Sequence, residues 1–333
     1  MKRIPVGTLA PILREALLRR GVPEEHAGWV VDGLIGTSLR GIDTHGVRLF
    51  PTYIAELDGG RSLPDPELRF LGEARAARVL DAGHALGIVA GRVATAQAIR
   101  LAKENGVGAV AVRNSNHFGA ASVYTLQMAR EGVLGLSSTN SDALVAPWNG
   151  LAPLFGTNPI SLAVQGGGDD LFCADFATSQ VSYSKVKHHR AHGLPLEPGW
   201  VVESGGEVAA LQPLGGHKGH CLGMMAEILC ALLSGMPFDH ELSHLYTPPF
   251  DEPRRVAHFF LALDLGAFRD PGDFRTDLSR LLGVVREQPA APGERVIVPG
   301  DLESEAEAER SANGIPLEDE EWEWLAALDR DLE

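Results

Sequence analysis

A chain of 333 residues, 44% hydrophobic and 22% charged, carries enough apolar material for a large core and for two subdomains sharing one cleft. Its formal charge of −15 argues against a nucleic-acid or anionic-membrane partner, so any anionic ligand must be held by local cations. No stretch approaches the roughly 18 uninterrupted apolar residues of a membrane span. The start, MKRIPVGTLAPILREALLRRG, has charges inside its apolar pattern instead of a leader core, so the chain reads as cytoplasmic.

Apolar periodicity predicts helices over residues 5–20 and 23–39, divided at Gly21-Val22-Pro23. The stretch GIDTHGVRLFPTYIAELDGG then reads as an irregular loop that delivers His45 to the entrance of a short helix closed by Gly59-Gly60. A strand is expected over 78–82, and an alanine-rich helix over 86–105 with Gly87 and Gly91 for close packing. A strand over 107–112, a helix over 122–131 and a strand over 133–138 follow. The proline-, glycine- and asparagine-rich run from Thr139 to Pro159 precludes regular structure, and loops that long are usually functional. Next come strands over 160–164 and 171–176, a helix within ATSQVSYSKVKHHRAHG, and an undefined connection over 194–210. The segment LQPLGGHKGH leads into an apolar helix over 221–234. The remainder is a buried strand over 255–264, an amphipathic helix over 273–288, a short strand over 295–298 and two acidic helices. Strands alternating with helices, without internal repeats, indicate the α/β class.

The chain is organised around Ala109 to Ala121, AVAVRNSNHFGAA, where an apolar strand turns abruptly polar before a helix. α/β proteins commonly place chemistry at such strand ends, which makes His117 the first candidate. Thr44 and His45 form a second polar cluster. A lone histidine is more often structural, but imidazole is the default group for moving protons near neutral pH. Arg48 could pair with a carboxylate, against the plainer reading of a surface arginine. Gly215-Gly216-His217-Lys218-Gly219 before a helix suits a phosphate, against the plainer reading of a turn with a solvated lysine. It lacks Walker A spacing. The nearest approach to a Rossmann fingerprint, Gly106 to Ala111, precedes its strand and lacks the third glycine. No GxSxG occurs, and the histidine clusters of 188–192 and 217–220 lack an obvious further ligand of the usual kind, so no metal is expected. Cys173, Cys221 and Cys230 form no CxxC pair and read as reduced residues in apolar surroundings. Trp322 and Trp324 are expected to anchor the terminal helix.

GIDTHGVRLFPTYIAEL, NSNHFGAAS, FGTNPIS, DFATS, LGGHKGH and RVIVPGD with GIPL together resemble, in order and over nearly the whole chain, the signature series of the type-2 malate/L-lactate dehydrogenase family. Its members include sulfolactate, ureidoglycolate and diketogulonate dehydrogenases and piperideine-2-carboxylate reductases. The resemblance implies a non-Rossmann, sulfolactate-dehydrogenase-like α/β fold with a mixed sheet, an N-terminal helical part and a central cofactor-binding domain. Residues 1–75 would carry the active-site loop, 76–235 the cofactor region, and 236–333 would return to the main body. It further implies NAD- or NADP-dependent oxidoreduction of a small 2-hydroxy or 2-oxo acid by a homodimer. By motif position, His45 with Thr44, and His117, would be catalytic, and Arg48 and Thr157 would contact substrate. Phe118, Gly119, Ala120, Ala121, Ser141, Asp175, Phe176, Ala177, His217 and Lys218 would contact cofactor. In many relatives the substrate arginine stands four residues after the motif histidine, whereas Arg48 stands three after His45. The lysine motif after DFATS is altered to Ser184-Lys185, and the connection 201–213 is shorter than usual. A cyclic 2-imino-acid reductase and a catalytically silent ligand-binding relative stand as alternatives.

Overall fold

Two helices, α1 (Val6–Leu18) and α2 (Glu24–Leu39), follow a short strand, β1 (Lys2–Ile4), in the computed structural model, which describes residues 2–205 and 207–330. Pro5 and Pro23 stand at the two helix entrances, and Leu9, Leu13, Ala16 and Leu17 form the buried stripe of α1. Tight turns over Asp43–His45 and Val47–Leu49 lead into α3 (Phe50–Gly59), which stops at left-handed Gly60. The chain continues through β2 (Arg69–Leu71), β3 (Ala77–Asp81), α4 (Gly87–Asn105), β4 (Val107–Ser115), α5 (Ser122–Arg130), β5 (Val133–Thr139), β6 (Ile160–Gln165) and β7 (Leu171–Phe176). Then follow α6 (Tyr183–Ala191), β8 (Val201–Ser204), β9 (Glu207–Leu211) and α7 (His217–Glu227), which runs on as a π-helical turn over Ile228–Leu232. The last elements are β10 (Val256–Asp264), α8 (Pro271–Arg286), α9 (Asp301–Asn313), β11 (Ile315–Leu317) and α10 (Asp319–Arg330).

Among the described residues the main sheet has the order β2-β3-β4-β10-β5-β6-β7. Only β3 and β4 pair in parallel, with α4 as their crossover, so the sheet is mixed and not a doubly wound Rossmann sheet. β10 reads VAHFFLALD because it is covered on both faces. Val110, Val112 and Phe260 face α4 and the large core. The alternate residues Ala111 and Phe259 face Cys230 and Leu229, beyond the end of α7. The chain ends close on its beginning: β11 pairs with β1, Trp324 stacks on Phe50 at 5.8 Å, and the Lys2 ammonium lies 4.9 Å from the Trp322 ring.

Several expectations are corrected. The strand expected over 107–112 continues through Arg113 and Asn114 to Ser115, carried by polar residues that satisfy one another: Asn114, at φ 53°, donates to Asp81 at 2.9 Å. The helix expected within 177–193 starts at Tyr183, because residues 177–182 form bends with an isolated bridge from Ser179 to Pro213, and Ser182 caps the helix by accepting the Lys185 N–H. The undefined connection holds the hairpin β8-β9, and the helix after GGHKG begins at His217, inside the motif. Residues 295–298 form no strand, although neighbouring Pro299 accepts the Cys173 N–H at 3.1 Å. Cys221 is exposed on the first turns of α7, 3.8 Å from the His217 ring, while Cys173 and Cys230 are buried. The short strands β1, β2 and β11 carry too few residues for any alternation to register.

Candidate active site

His45 sits on the turn after α2 and His117 just beyond β4, yet their rings stack with centroids 5.7 Å apart. Two close approaches bring them there. A Cβ on Gly46 would lie 2.1 Å from the Ser38 hydroxyl, and a Cβ on Gly87 would lie 2.3 Å from the carbonyls of Asn116 and His117. Glycine at each position lets one backbone rest directly on the other. The Asp43 carboxylate holds the turn from the other side by accepting both ends of the Arg310 guanidinium, at 2.6 and 3.0 Å. Asn116 is fully buried and its amide donates to Ser62 Oγ at 2.9 Å and to the Ala85 carbonyl at 3.1 Å. Its role is to pin the loop.

The hydrogen bonds distinguish the two imidazoles. His117 Nδ1 lies 3.3 Å from the Gly119 N–H, which can only donate, and 2.9 Å from the Tyr53 hydroxyl. Nδ1 therefore carries a lone pair and the ring proton resides on Nε2. A proton added at Nδ1 would face a fixed N–H. Burial holds the His117 pKa well below the usual histidine value, and the charges of His45, Arg254 and His258 push it the same way. His45 Nδ1 lies 2.9 Å from Thr44 Oγ1, an atom that can accept as well as donate, so Nε2 is left free to take a proton. Its pKa is lowered by burial, and the nearby Asp175 carboxylate offsets part of that. Asp175 is held at the start of α5, where its Oδ2 accepts the Ser122 N–H at 2.8 Å, and burial raises its own pKa.

Both rings open into a cavity of about 350 Å³. Thr44, His45, His117, Ser141, Thr157 and Ala177 line it, so six of the residues named by motif meet in one place. Ser141 Oγ accepts the Thr157 N–H at 3.1 Å, and the Thr157 carbonyl accepts the Thr178 N–H at 2.8 Å. These bonds tie the long loop after β5 to the segment after β7. Beneath it lies a buried carboxyl pair: Asp239 Oδ2 accepts from the Gly156 N–H and the Asn158 amide, each at 2.7 Å, and Glu227 Oε1 accepts the Asp239 N–H at 3.0 Å. Burial and the neighbouring Asp239 push the Glu227 pKa up to about 9, and burial raises that of Asp239 as well, so the pair resists carrying two charges at neutral pH.

The other motif residues stand apart from the cavity wall. Phe118 points into the core, stacked on His258 at 4.6 Å, and Gly119, Ala120 and Ala121 form the buried turn into α5. Phe176 is exposed at the end of β7. Arg48 is not among the lining residues: its Nε donates to Glu321 at 2.5 Å, so α10 holds the guanidinium expected to meet substrate. His217 and Lys218 are exposed at the start of α7. That start abuts the cavity wall, since the Leu214 N–H donates to the Thr178 carbonyl at 2.9 Å and the Gly215 N–H to Gln180 at 2.8 Å. A helix start presenting N–H groups and an exposed lysine fits a pyrophosphate, and the imidazoles with Leu144 and Ala177 fit a flat ring beside it.

Motif reading overlooks the rest of the wall: Tyr183 and Lys187 of α6, and Asp142, His244, Leu245 and Tyr246. Asp142 is engaged by Arg254 at 2.5 Å and His244 at 2.8 Å. The four-residue spacing of Tyr183 and Lys187 offered a signal in the sequence, and Asp142 lies in the long loop expected to be functional. His244, Leu245 and Tyr246 arrive from a segment without periodicity.

Residues 4–326 match the family described as malate/L-lactate dehydrogenase. The chain is 35% identical to malate dehydrogenase of Pyrococcus abyssi, over 95% of this chain and 91% of that protein. It is 30% identical to ureidoglycolate dehydrogenase (NAD(+)) of Escherichia coli K12, over 97% and 95%. Against (2R)-3-sulfolactate dehydrogenase (NADP(+)) of Chromohalobacter salexigens it is 34% identical, over 79% and 80%. Among solved structures, malate dehydrogenase from Entamoeba histolytica superposes with a TM-score of 0.93 at 30% identity, covering 99% of this chain and 98% of that one. Sulfolactate dehydrogenase from Methanocaldococcus jannaschii superposes with a TM-score of 0.93 at 27% identity, covering 99% and 97%.

Proposed function

The chain belongs to the malate/L-lactate dehydrogenase family, and from that membership we propose that it moves a hydride between a nicotinamide dinucleotide, NAD or NADP, and C2 of a small 2-hydroxy or 2-oxo acid. The observation that carries this reading is the pair of stacked imidazoles opening into one cavity with different hydrogen-bond roles. A bound nicotinamide supplies or accepts the hydride. His45, with Nδ1–H donating to Thr44, takes the hydroxyl proton at Nε2 during oxidation and returns it to the carbonyl oxygen during reduction. Asp175 stabilises the imidazolium so formed. His117 stays neutral and uses its Nε2–H to orient the substrate oxygen. Thr157 and Ser141 contact the substrate and cofactor from the facing wall, and Lys218 with the start of α7 holds the pyrophosphate.

The protein works as a homodimer in this reading. Met224, Met225, Ile228, Leu232 and Leu233 are each more than 40% exposed along one helix, an apolar face suited to a second copy. Incubation with 4-deuterated NADH or NADPH and a panel of 2-oxo acids, including oxaloacetate, pyruvate and sulfopyruvate, tests the reaction. Deuterium at C2 of a product acid is expected. Failure to bind either cofactor, together with no transfer to any acid, overturns the proposal.

A further inference from the structure

A substrate carboxylate brought into this cavity needs a cation, since an unpaired buried charge is strongly disfavoured. Two of the nearby guanidinium groups are already engaged: Arg48 by Glu321 outside the cavity, and Arg254 by Asp142 at 2.5 Å and the Ser243 carbonyl at 2.9 Å. Lys187 differs from both. On α6, Tyr183 and Lys187 are one turn apart and share a face, and both line the cavity. The Lys187 ammonium lies 4.8 Å from the Tyr183 ring centroid and 5.9 Å from that of Tyr246, which the segment before β10 brings in from another part of the wall. Among the described residues it forms no ion pair.

We propose that Lys187, steadied between Tyr183 and Tyr246, is the specificity-determining cation that binds the carboxylate of the 2-hydroxy or 2-oxo acid, in the place expected for Arg48. This deepens the dehydrogenase reading and rests on it. Aromatic faces attract the ammonium without using its N–H donors, so those remain for a carboxylate. They also restrict a long side chain whose ordering otherwise opposes binding. The ligand class that follows is an acid presenting a carboxylate to α6 while its C2 oxygen faces His45. Neutral amides of the same shape are excluded.

The test uses oxamate, a carboxylate shaped like a 2-oxo acid, and oxamide, its neutral counterpart, titrated calorimetrically into the NADH-loaded protein. Oxamate is expected to bind the parent protein with a clear preference over oxamide. Lys187→Met should weaken oxamate at least tenfold and abolish the preference, Lys187→Arg should retain most of it, and NADH affinity should be unchanged in both. Arg48→Met should leave oxamate binding intact. Unchanged oxamate affinity in Lys187→Met, a loss falling on NADH instead, or a loss on Arg48→Met alone overturns the assignment while leaving the dehydrogenase reading in place. A parent protein that binds neither NADH nor NADPH and turns over no acid overturns both.

Discussion

Tyr53→Phe removes one oxygen atom and tests the division of labour between the histidines. Tyr53 is fully buried, and its hydroxyl lies 2.9 Å from His117 Nδ1. The Gly119 N–H obliges that nitrogen to accept, so the phenol must donate. A neutral hydrogen bond of this kind contributes about 0.5 to 1.5 kcal/mol, which corresponds to about a 2- to 13-fold fall in kcat/KM. The ring still fills its site, so the melting temperature should hardly move. The sign of the pH effect is more informative than the size. The phenol stabilises neutral His117 and opposes its protonation, so without it the acid limb of kcat/KM should move to higher pH. The assay is initial velocity against pH at low acid concentration and saturating cofactor. Movement of the limb to lower pH would mean that Tyr53 accepts a proton from Nδ1–H, and the assigned tautomer would be refuted.

His258 is buried between Thr139 Oγ1 at 2.7 Å and Ser115 Oγ at 2.8 Å, and burial lowers its pKa to about 3. The unfolded chain takes this proton below about pH 6.5, so stability should fall as pH drops from 6.5 toward 3, by at most about 1.4 kcal/mol per unit. Chemical denaturation over that range checks it, and His258→Gln should flatten the slope. Glu227 has the opposite sense: its pKa is raised, so ionisation of the unfolded chain costs stability as pH climbs above about 4.5. Glu227→Gln keeps a neutral donor there and should raise stability at pH 8 by at least about 1 kcal/mol, and a loss at every pH would exclude a retained proton. Lys218→Ala should weaken cofactor binding about 10- to 100-fold, as for one charge-assisted contact, with an unchanged melting temperature because the side chain is exposed.

Much of this fold was legible because its long elements have strong periodicity or strong boundaries. The Pro-bounded α1 and α2, the alanine-rich α4 and the apolar β10 all stand within a few residues of expectation. What escaped depends on tertiary pairing. The three-residue strands β1 and β11 exist because the two ends of the chain meet, and β8-β9 is a short hairpin in a glycine-rich stretch. The site divides the same way. His45, His117, Thr44, Ser141, Thr157 and Ala177 lie in dense polar motifs and converge, whereas Tyr53 looked like one more apolar position in VRLFPTYIAEL. Arg48 illustrates the converse: local spacing put a cation beside His45, but Glu321, 273 residues away, decides where it points.

The most direct test of the central claim is kcat/KM for reduction of the preferred 2-oxo acid by His45→Ala, measured beside its cofactor affinity and melting temperature. A fall of about 10²- to 10⁴-fold, with cofactor affinity and folding retained, is the expected result. Turnover close to that of the parent protein would contradict it and take His45 out of the chemistry.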